Sequence, residues 1–444
     1  MMNYGFLSCI PILVLIIGAV MTRKMPHMLM LASFIGAIIL YGKDFFSGWI
    51  NVMYAALANG SDQYILLILV CSGAMIRLLE KSGAMLGFRN MISKYAKDEH
   101  RVMFFTWVLG IIVFIDDYLN ALAVSSAMRG LSDEHKIPRE HLAYTVNVGG
   151  ACVCVLIPFS SWAAFGIGTF GEYGWTFSDY VHAIPFMFYP IVALLICLLL
   201  GLGVIPKAGD MKKAYDRVRN GGPALPDGDN QDELSSDVRP TTPLNFLIPM
   251  VALVIAMLYF DSDLIHGMLV ALLAQGIMYI AQRIMTLGEF MENVLEGAYS
   301  MASVCFVVVL SFMMNTVNAE IGFSDYVISI LNGVVPAALL PVIAFIMVAL
   351  VAFATGSFWP LIVIVSPIFV PMALSLDVSA WLIIAAMMSG IAFGSQCCMY
   401  SDAVFMTAAG TGVDNVTQIR AIGPYILSGF VISCALFILF GFII

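Results

Sequence analysis

The sequence predicts an all-α polytopic membrane protein made of two inverted-topology repeats, each with a re-entrant hairpin and an interrupted helix. Three observations carry that prediction. Of the 444 residues 61% are hydrophobic and only 11% charged, with a mean hydropathy of +0.96, a composition that no soluble domain of this length shows. A second series of apolar segments follows the first at an offset of about 240 residues. Polar interruptions fall at matching places in both series.

Hydropathy places spans near 6–22, 27–42, 62–80, 101–130, 140–172 and 181–205, then near 243–260, 263–282, 299–318, 340–374, 379–410 and 421–443. The first segment lacks a basic n-region and a small-residue cleavage site and leads into a second span, so it reads as a first helix rather than a signal peptide. Asp116-Asp117 falls opposite Thr355-Gly356, and Pro158-Phe159-Ser160-Ser161 opposite Cys398-Met399-Tyr400-Ser401. Lys207 to Thr242 mixes both charge signs with Gly and Pro like a solvated linker. The chain therefore divides into repeats at 1–205 and 243–444 joined by a cytoplasmic linker, 206–242. The nine cysteines are scattered through apolar segments without metal or redox spacing and read as small core residues. A net charge of −9 offers nothing to nucleic acid.

Lysine and arginine decide the orientation. With 101–130 and 340–374 read as hairpins turning at Asp116 to Asn120 and at Thr355 to Ser357, each half has five crossings, and the odd number makes the halves inverted copies. One side then receives Arg23-Lys24, the cations from Arg77 to Arg101, Arg129, Lys136, Arg139, the linker set from Lys207 to Arg239, Arg283 and Arg420. Only Lys43 falls on the other. A crossing at 101–130 would move Arg129, Lys136 and Arg139 to the far side and weaken that asymmetry. The charged loops and linker are thus placed in the cytoplasm, with both termini outside.

Asp116-Asp117 interrupts one of the most apolar stretches of the chain, Val102 to Ala127. An intramembrane carboxylate costs roughly 2.5–3.5 kcal/mol on insertion scales, which a bound cation, a proton or a partner side chain must recover. Hairpin tips and interrupted spans should converge near the midplane, where half-helix ends present unpaired backbone groups. Asp116, Asp117, Asn120, Thr355 and Asp402 are the candidate cation ligands, with Asp116, Asp117 and Asp402 as sodium carboxylates. Such hard oxygens, with freed carbonyls, suit sodium or a proton. Asn147, Ser160, Ser161, Trp162, Ser357, Trp359, Ser395, Gln396, Tyr400 and Ser401 are the candidate substrate contacts. Ser160-Ser161 and Thr355 to Ser357 also read as ordinary caps at helix breaks, and Asp402 as a cap of the half-helix that begins there. No serine–lysine pair, histidine cluster or nucleophile elbow accompanies the aspartates, so neither an enzyme nor a cofactor is expected. Paired interruptions favour alternating access over a continuous pore.

The run Phe114-Ile115-Asp116-Asp117-Tyr118-Leu119-Asn120, with Met128-Arg129, Pro138-Arg139-Glu140-His141-Leu142-Ala143-Tyr144 and Ile157-Pro158-Phe159-Ser160-Ser161-Trp162, resembles the signature of the NhaC-type sodium/proton antiporter family, a branch of the ion transporter superfamily. Ala354-Thr355-Gly356-Ser357, Ser389-Gly390 to Gly394, and Ser401-Asp402 resemble its matching second-half segments. The resemblance implies an elevator-type carrier, with a transport unit at about 101–205 and 336–444 and scaffold helices at about 1–100 and 243–335. It implies Asp116, Asp117, Asn120, Ser160, Ser161 and Asp402 as ion or substrate ligands. It also implies a homodimer, with the amphipathic segments 43–61 and 283–297 at an interface or on the membrane surface.

Three departures redirect the function. Asn147 stands where the family carries an aspartate, and Ser395-Gln396 where it carries an Asp-His pair. A sodium/proton exchanger needs a group whose protonation competes with sodium, which leaves Asp116, Asp117 and Asp402 for that role. Asn147, Ser395 and Gln396, beside Trp162, Phe358, Trp359 and Tyr400, suit a small polar solute with an apolar portion. The expectation is a sodium-coupled carrier of an amino-acid or organic-acid sized solute, working by an alternating-access elevator mechanism in the cytoplasmic membrane of a prokaryote. Its partners are the bilayer and the solute, with Na+ or H+ as coupling ion. The alternative is Na+/H+ antiport without an organic substrate.

Overall fold

The computed structural model describes residues 4–444 apart from 23–24, 93, 116, 227–238, 261–262, 324–325, 327–335, 356–358 and 400. Regular structure among them is helical throughout, the form in which an apolar segment satisfies its own backbone in a bilayer. The first half holds α1 (Ile10–Thr22), α2 (Met25–Tyr41), α3 (Phe45–Ala58), α4 (Gly60–Lys81), α5 (Ala84–Ile92), α6 (Glu99–Ile112), α7 (Asp117–Glu134), α8 (Arg139–Leu156), α9 (Ser161–Gly171), α10 (Phe177–Ala183) and α11 (Phe188–Gly201). After α12 (Gly209–Arg219) come α13 (Leu244–Tyr259), α14 (Leu264–Ala281), α15 (Leu287–Ser300), α16 (Ala302–Glu320), α17 (Leu340–Thr355), α18 (Trp359–Ser375), α19 (Ala380–Cys397), α20 (Asp402–Thr411) and α21 (Asn415–Ile443). The bounds recur: α6 and α17, α8 and α19, and α9 and α20 each start 241 residues apart (340 − 99, 380 − 139, 402 − 161).

Six stretches among the described residues are long and apolar enough to cross a membrane, and the bent pair Phe177–Phe186 and Phe188–Gly201 makes a seventh. Leu244–Tyr259, Ala337–Phe353 and Leu361–Ser375 are shorter apolar helices. This is fewer than the ten crossings read from hydropathy, because breaks cut several apolar stretches into helices shorter than the bilayer core. Burial then separates centre from periphery. The stretches carrying α8 and α19 are 78% and 83% buried, whereas Asn415–Ile443 is only 22% buried. The two helices that end at the predicted interruptions thus form the middle of the bundle.

Small residues let them lie there. A methyl group on Gly390 of α19 would stand 2.8 Å from the Phe345 carbonyl and 3.0 Å from the Ala349 nitrogen of α17. Gly394 likewise meets Ala352, and Gly73 of α4 meets Gly297 of α15 backbone to backbone. The halves also interlock: Gly410 of α20 faces Ser125 and Ala121 of α7, while Gly166 of α9 faces Ile362 of α18.

Residues 206–225 depart from the solvated linker expected of them. Met211, Ala214, Tyr215 and Val218 of α12 are buried, at the i, i+3, i+4, i+7 spacing of one helix face. Arg217 grips Glu140 through two bonds of 2.8 and 2.9 Å, the Tyr215 hydroxyl lies 2.6 Å from Nδ1 of His141, and Lys207 donates to Glu99 at 2.8 Å. The Tyr425 hydroxyl of α21 accepts from the Ala208 N–H at 2.8 Å and donates to the Pro206 carbonyl at 3.3 Å. Burial alone would raise the Glu99 carboxyl, but the hydrogen bond and charge of Lys207 prevail and hold it below its ordinary 4.5. Its stabilisation is therefore present at neutral pH and is lost only as pH falls below 4.5 and through the lowered value.

Two outcomes follow. Arg217→Ala strands the Glu140 carboxylate, which is 3% exposed, and should destabilise by roughly 3 kcal/mol, the low end for a broken buried pair because Arg217 is partly open to water. Gly390→Ala must push α17 and α19 apart and should cost about 1–3 kcal/mol, whereas Gly171→Ala, which meets nothing within 4 Å, should be close to neutral. Thermal unfolding in detergent checks both; a silent Arg217→Ala would mean that the docked linker contributes no stability.

Candidate ion and substrate site

The site begins with two helix breaks built alike. At the first, Pro158 disfavours helix at Ile157, whose backbone is extended (φ −92°, ψ 112°), and Ser160 caps α9. The Ser160 hydroxyl accepts from the Ala163 N–H at 3.0 Å and donates to the Cys154 carbonyl. At the second, Cys398 is extended (φ −80°, ψ 118°) and Ser401 caps α20. Its hydroxyl accepts from the Val404 N–H at 3.3 Å and donates to the Ser395 carbonyl at 2.6 Å. Each serine thus bridges a carbonyl six residues back and an amide three residues ahead. The capping reading of Ser160 holds, and at the second break the cap is Ser401, with Asp402 the first helical residue.

Two of the carbonyls at the first break, which sequence suggested would be free, are answered within the protein. Cys154 is answered by Ser160, and Val155 accepts from the Tyr180 hydroxyl at 2.8 Å. The Ser161 N–H at the start of α9 donates to the Ile115 carbonyl at 2.8 Å.

That last bond leads to the first hairpin tip. Asn120, in the first turn of α7, donates to the carbonyls of Gly110 at 2.6 Å and Val113 at 3.0 Å in α6 and just beyond it. Ten residues of continuous helix would separate Asn120 from Gly110 by about 15 Å, so the chain has doubled back. Asp117, 4% exposed, accepts from the Trp162 indole N–H at 3.0 Å. Glycine on α8 makes the room: a methyl on Gly149 would lie 3.3 Å from Oδ1 of Asn120, and one on Gly150 3.4 Å from the Asp117 carbonyl. Asp117, Asn120, Ser160, Ser161 and Trp162 are therefore one cluster.

The remaining predicted residues divide. Asn147 donates to Oε1 of Gln418 on α21 at 3.2 Å. Gln396 accepts from the Tyr189 hydroxyl of α11. Gln418 and Tyr189 went unnoticed in the sequence, where nothing local marks either as a partner. Among the described atoms Oδ1 of Asn120, Oδ1 of Asn147, Nε2 of Gln396 and Nε2 of Gln418 are buried without a hydrogen-bond partner. Ser395 is nearly buried beside the second break. Asp116, Ser357 and Tyr400 lie outside the described residues. Thr355 closes α17, Trp359 opens α18 and Asp402 opens α20, and their side chains lie outside the described set.

A cavity of about 560 Å³ reaches the first break at Pro158, between Gly60 and Tyr64 of α4, Gly168 of α9, Trp175 and Leu264. Among the described residues no three His, Cys, Asp or Glu side chains gather as metal ligands.

An all-helical bundle with helices interrupted at its buried centre, and a carboxylate held at the break, is the form of a multi-pass secondary transporter. The chain belongs to the Na+/H+ antiporter family, whose model matches residues 180–442. That match lies mainly in the second half, whereas the residue-level resemblance is densest at 114–162. In fold the chain is similar to MtrF of Neisseria gonorrhoeae, described as illuminating a class of antimetabolite efflux pumps (TM-score 0.62, 13% identity, 89% of this chain and 83% of that one). It is also similar to the YdaH transporter of Alcanivorax borkumensis, described as having an unusual topology (TM-score 0.58, 13% identity, 90% and 89%). An uncharacterized protein of Haemophilus influenzae is 24% identical over 462 residues, covering 94% of this chain and 87% of its own.

Ser160→Ala and Ser401→Ala should each lose a cap worth about 1 kcal/mol and strand a buried carbonyl at about 1–3 kcal/mol more. Matched losses in urea or thermal unfolding are the expected result; a neutral Ser401→Ala would show that the breaks are not equivalent.

Proposed function

We propose that this chain is a sodium-coupled carrier of a small organic solute, amino-acid or organic-acid sized, working by alternating access in the cytoplasmic membrane of a prokaryote. The observation that supports it best is the buried Asp117 carboxylate, held at a hairpin tip against a helix break and next to the unpartnered Oδ1 of Asn120. Both are hard oxygens of the kind sodium takes. Asp116, Thr355 and Asp402 complete the proposed cation set, with Asp116, Asp117 and Asp402 as its carboxylates. The proposed solute contacts are Asn147, Ser160, Ser161, Ser357, Trp359, Ser395, Gln396, Tyr400 and Ser401, to which Gln418 and Tyr189 are added as partners of the amides; Trp162, read from sequence as a further contact, is 1% exposed and takes another role.

The 241-residue recurrence of helix bounds supports two repeats of inverted topology, about 1–205 and 243–444. The interlock of α20 with α7 and of α9 with α18 supports a moving unit made of 101–205 and 336–444, carried against scaffold helices at 1–100 and 243–335. One translocated charge gains roughly 2.3 kcal/mol per 100 mV of membrane potential, enough for about fifty-fold accumulation. Na+/H+ antiport without an organic substrate is the second reading, favoured by the family match. In it Asp116, Asp117 and Asp402 exchange both cations. A homodimer, with α3 and α15 at the interface or membrane surface, is proposed with the fold.

Thermal stability in sodium against choline, with a panel of amino acids and small organic acids, tests the reading. A ligand at ten times its Kd stabilises the folded state by about 1.4 kcal/mol. One solute should stabilise only with sodium present, and Asp117→Asn should abolish the effect. If sodium or pH alone shifts stability and no solute does, antiport replaces symport.

A further inference from the structure

We infer that Trp162 is the residue that positions Asp117, clipping the hairpin tip to the α8–α9 break through its indole N–H, rather than an aromatic wall for the solute. The inference rests on the reading of Asp117 as a cation ligand and adds how its carboxylate is aimed.

Trp162 is 1% exposed, so its ring has no face to offer a solute. Its Nε1 lies 3.0 Å from Oδ1 of Asp117. The neighbouring Ser161 N–H reaches the Ile115 carbonyl at 2.8 Å. Consecutive residues at the start of α9 therefore hold the hairpin on both sides of residue 116, one through the backbone and one through a side chain. An indole N–H fits the role because it donates one bond, accepts none, and carries no charge to compete with a bound cation. A carboxylate held in one orientation is a pre-aimed ligand, and a pre-aimed ligand loses less freedom when an ion arrives.

The same clip ties Asp117 to the cavity. α9 supplies Ala164, Ile167, Gly168 and Gly171 to the cavity wall, and Pro158 of the break lies at the cavity's edge. Trp162 sits on α9 between that break and those wall residues. Any shift of α9 that widens or narrows the cavity moves the donor that aims Asp117, so occupancy of the carboxylate and the shape of the cavity depend on each other through one hydrogen bond.

Two arms test this on the full-length protein. In the first, the sodium concentration at half-maximal thermal stabilisation is measured for wild type and Trp162→Phe, which keeps an apolar ring and loses the N–H. The expected result is a midpoint raised about tenfold, the size of one lost bond to a charged group, with the melting temperature in choline within a few degrees of wild type. An unmoved midpoint overturns the inference. In the second, hydrogen exchange in choline compares Asp117→Asn, which keeps an acceptor for the indole, with Asp117→Leu, which does not. Peptides spanning 111–122 and 158–166 should exchange about tenfold faster in Asp117→Leu than in Asp117→Asn; equal exchange overturns the inference. The second arm needs no sodium and no intact Trp162 variant. If wild type shows no sodium shift at all, the cation reading of Asp117 fails on its own, and the exchange arm still decides the role of Trp162.

Discussion

A helix that stops inside a bilayer leaves amides and carbonyls that water cannot reach, and the centre of this protein is organised by the need to answer them. Ser160 and Ser401 each answer two such groups. Tyr180 answers a third kind from a neighbouring helix, and the hairpin tip itself accepts the first N–H of α9. Part of each break is thus closed by protein, with the carbonyls of Cys154, Val155 and Ser395 each answered by a hydroxyl. Asp117 and Oδ1 of Asn120, the described members of the candidate cation set, lie on the hairpin side of the cluster.

Such closure needs backbones to approach more closely than ordinary side chains permit. Gly149 and Gly150 admit the hairpin tip to α8, and Gly390 and Gly394 admit α17 to α19. In lipid there is no hydrophobic drive to press helices together, so contact area and backbone proximity must supply the attraction. Glycine provides both at once. The two central helices place Gly, Ala and Cys among their larger residues and are buried along almost their whole length.

The recurrence of helix bounds, the breaks and the doubling back near Asn120 were legible in the sequence because each leaves a local mark. Asp116-Asp117 stands out against an apolar run, and Pro158 and the serines punctuate α8 and α19 at one offset. The partners of Asn147 and Gln396 were not legible. Gln418 and Tyr189 lie 271 and 207 residues away along the chain, and nothing local distinguishes them. The linker was misread for another reason. Its mean composition is that of a solvated loop, but Met211, Ala214, Tyr215 and Val218 carry a helical stripe that an average conceals. Arg217 then finds Glu140, a residue that sequence alone gave no reason to pair.

The amide pairs bear on which transport reading the site favours. At Asn147 and at Gln396, where the resembling family carries ionisable side chains, this chain places a neutral group opposite another neutral group, Gln418 in one case and Tyr189 in the other. A carboxylate in either place would need a charged partner or a bound ion to remain buried, and neither partner could supply the charge. The substitution therefore extends beyond one residue to its surroundings, which are tuned for hydrogen bonding rather than for titration. Charge at the centre is thereby confined, among the described residues, to the hairpin side that holds Asp117. A division of that kind, with the proposed cation ligand on one side and uncharged donors and acceptors on the other, suits the proposed co-transport of an ion with a polar solute better than exchange of two cations at a shared set of carboxylates.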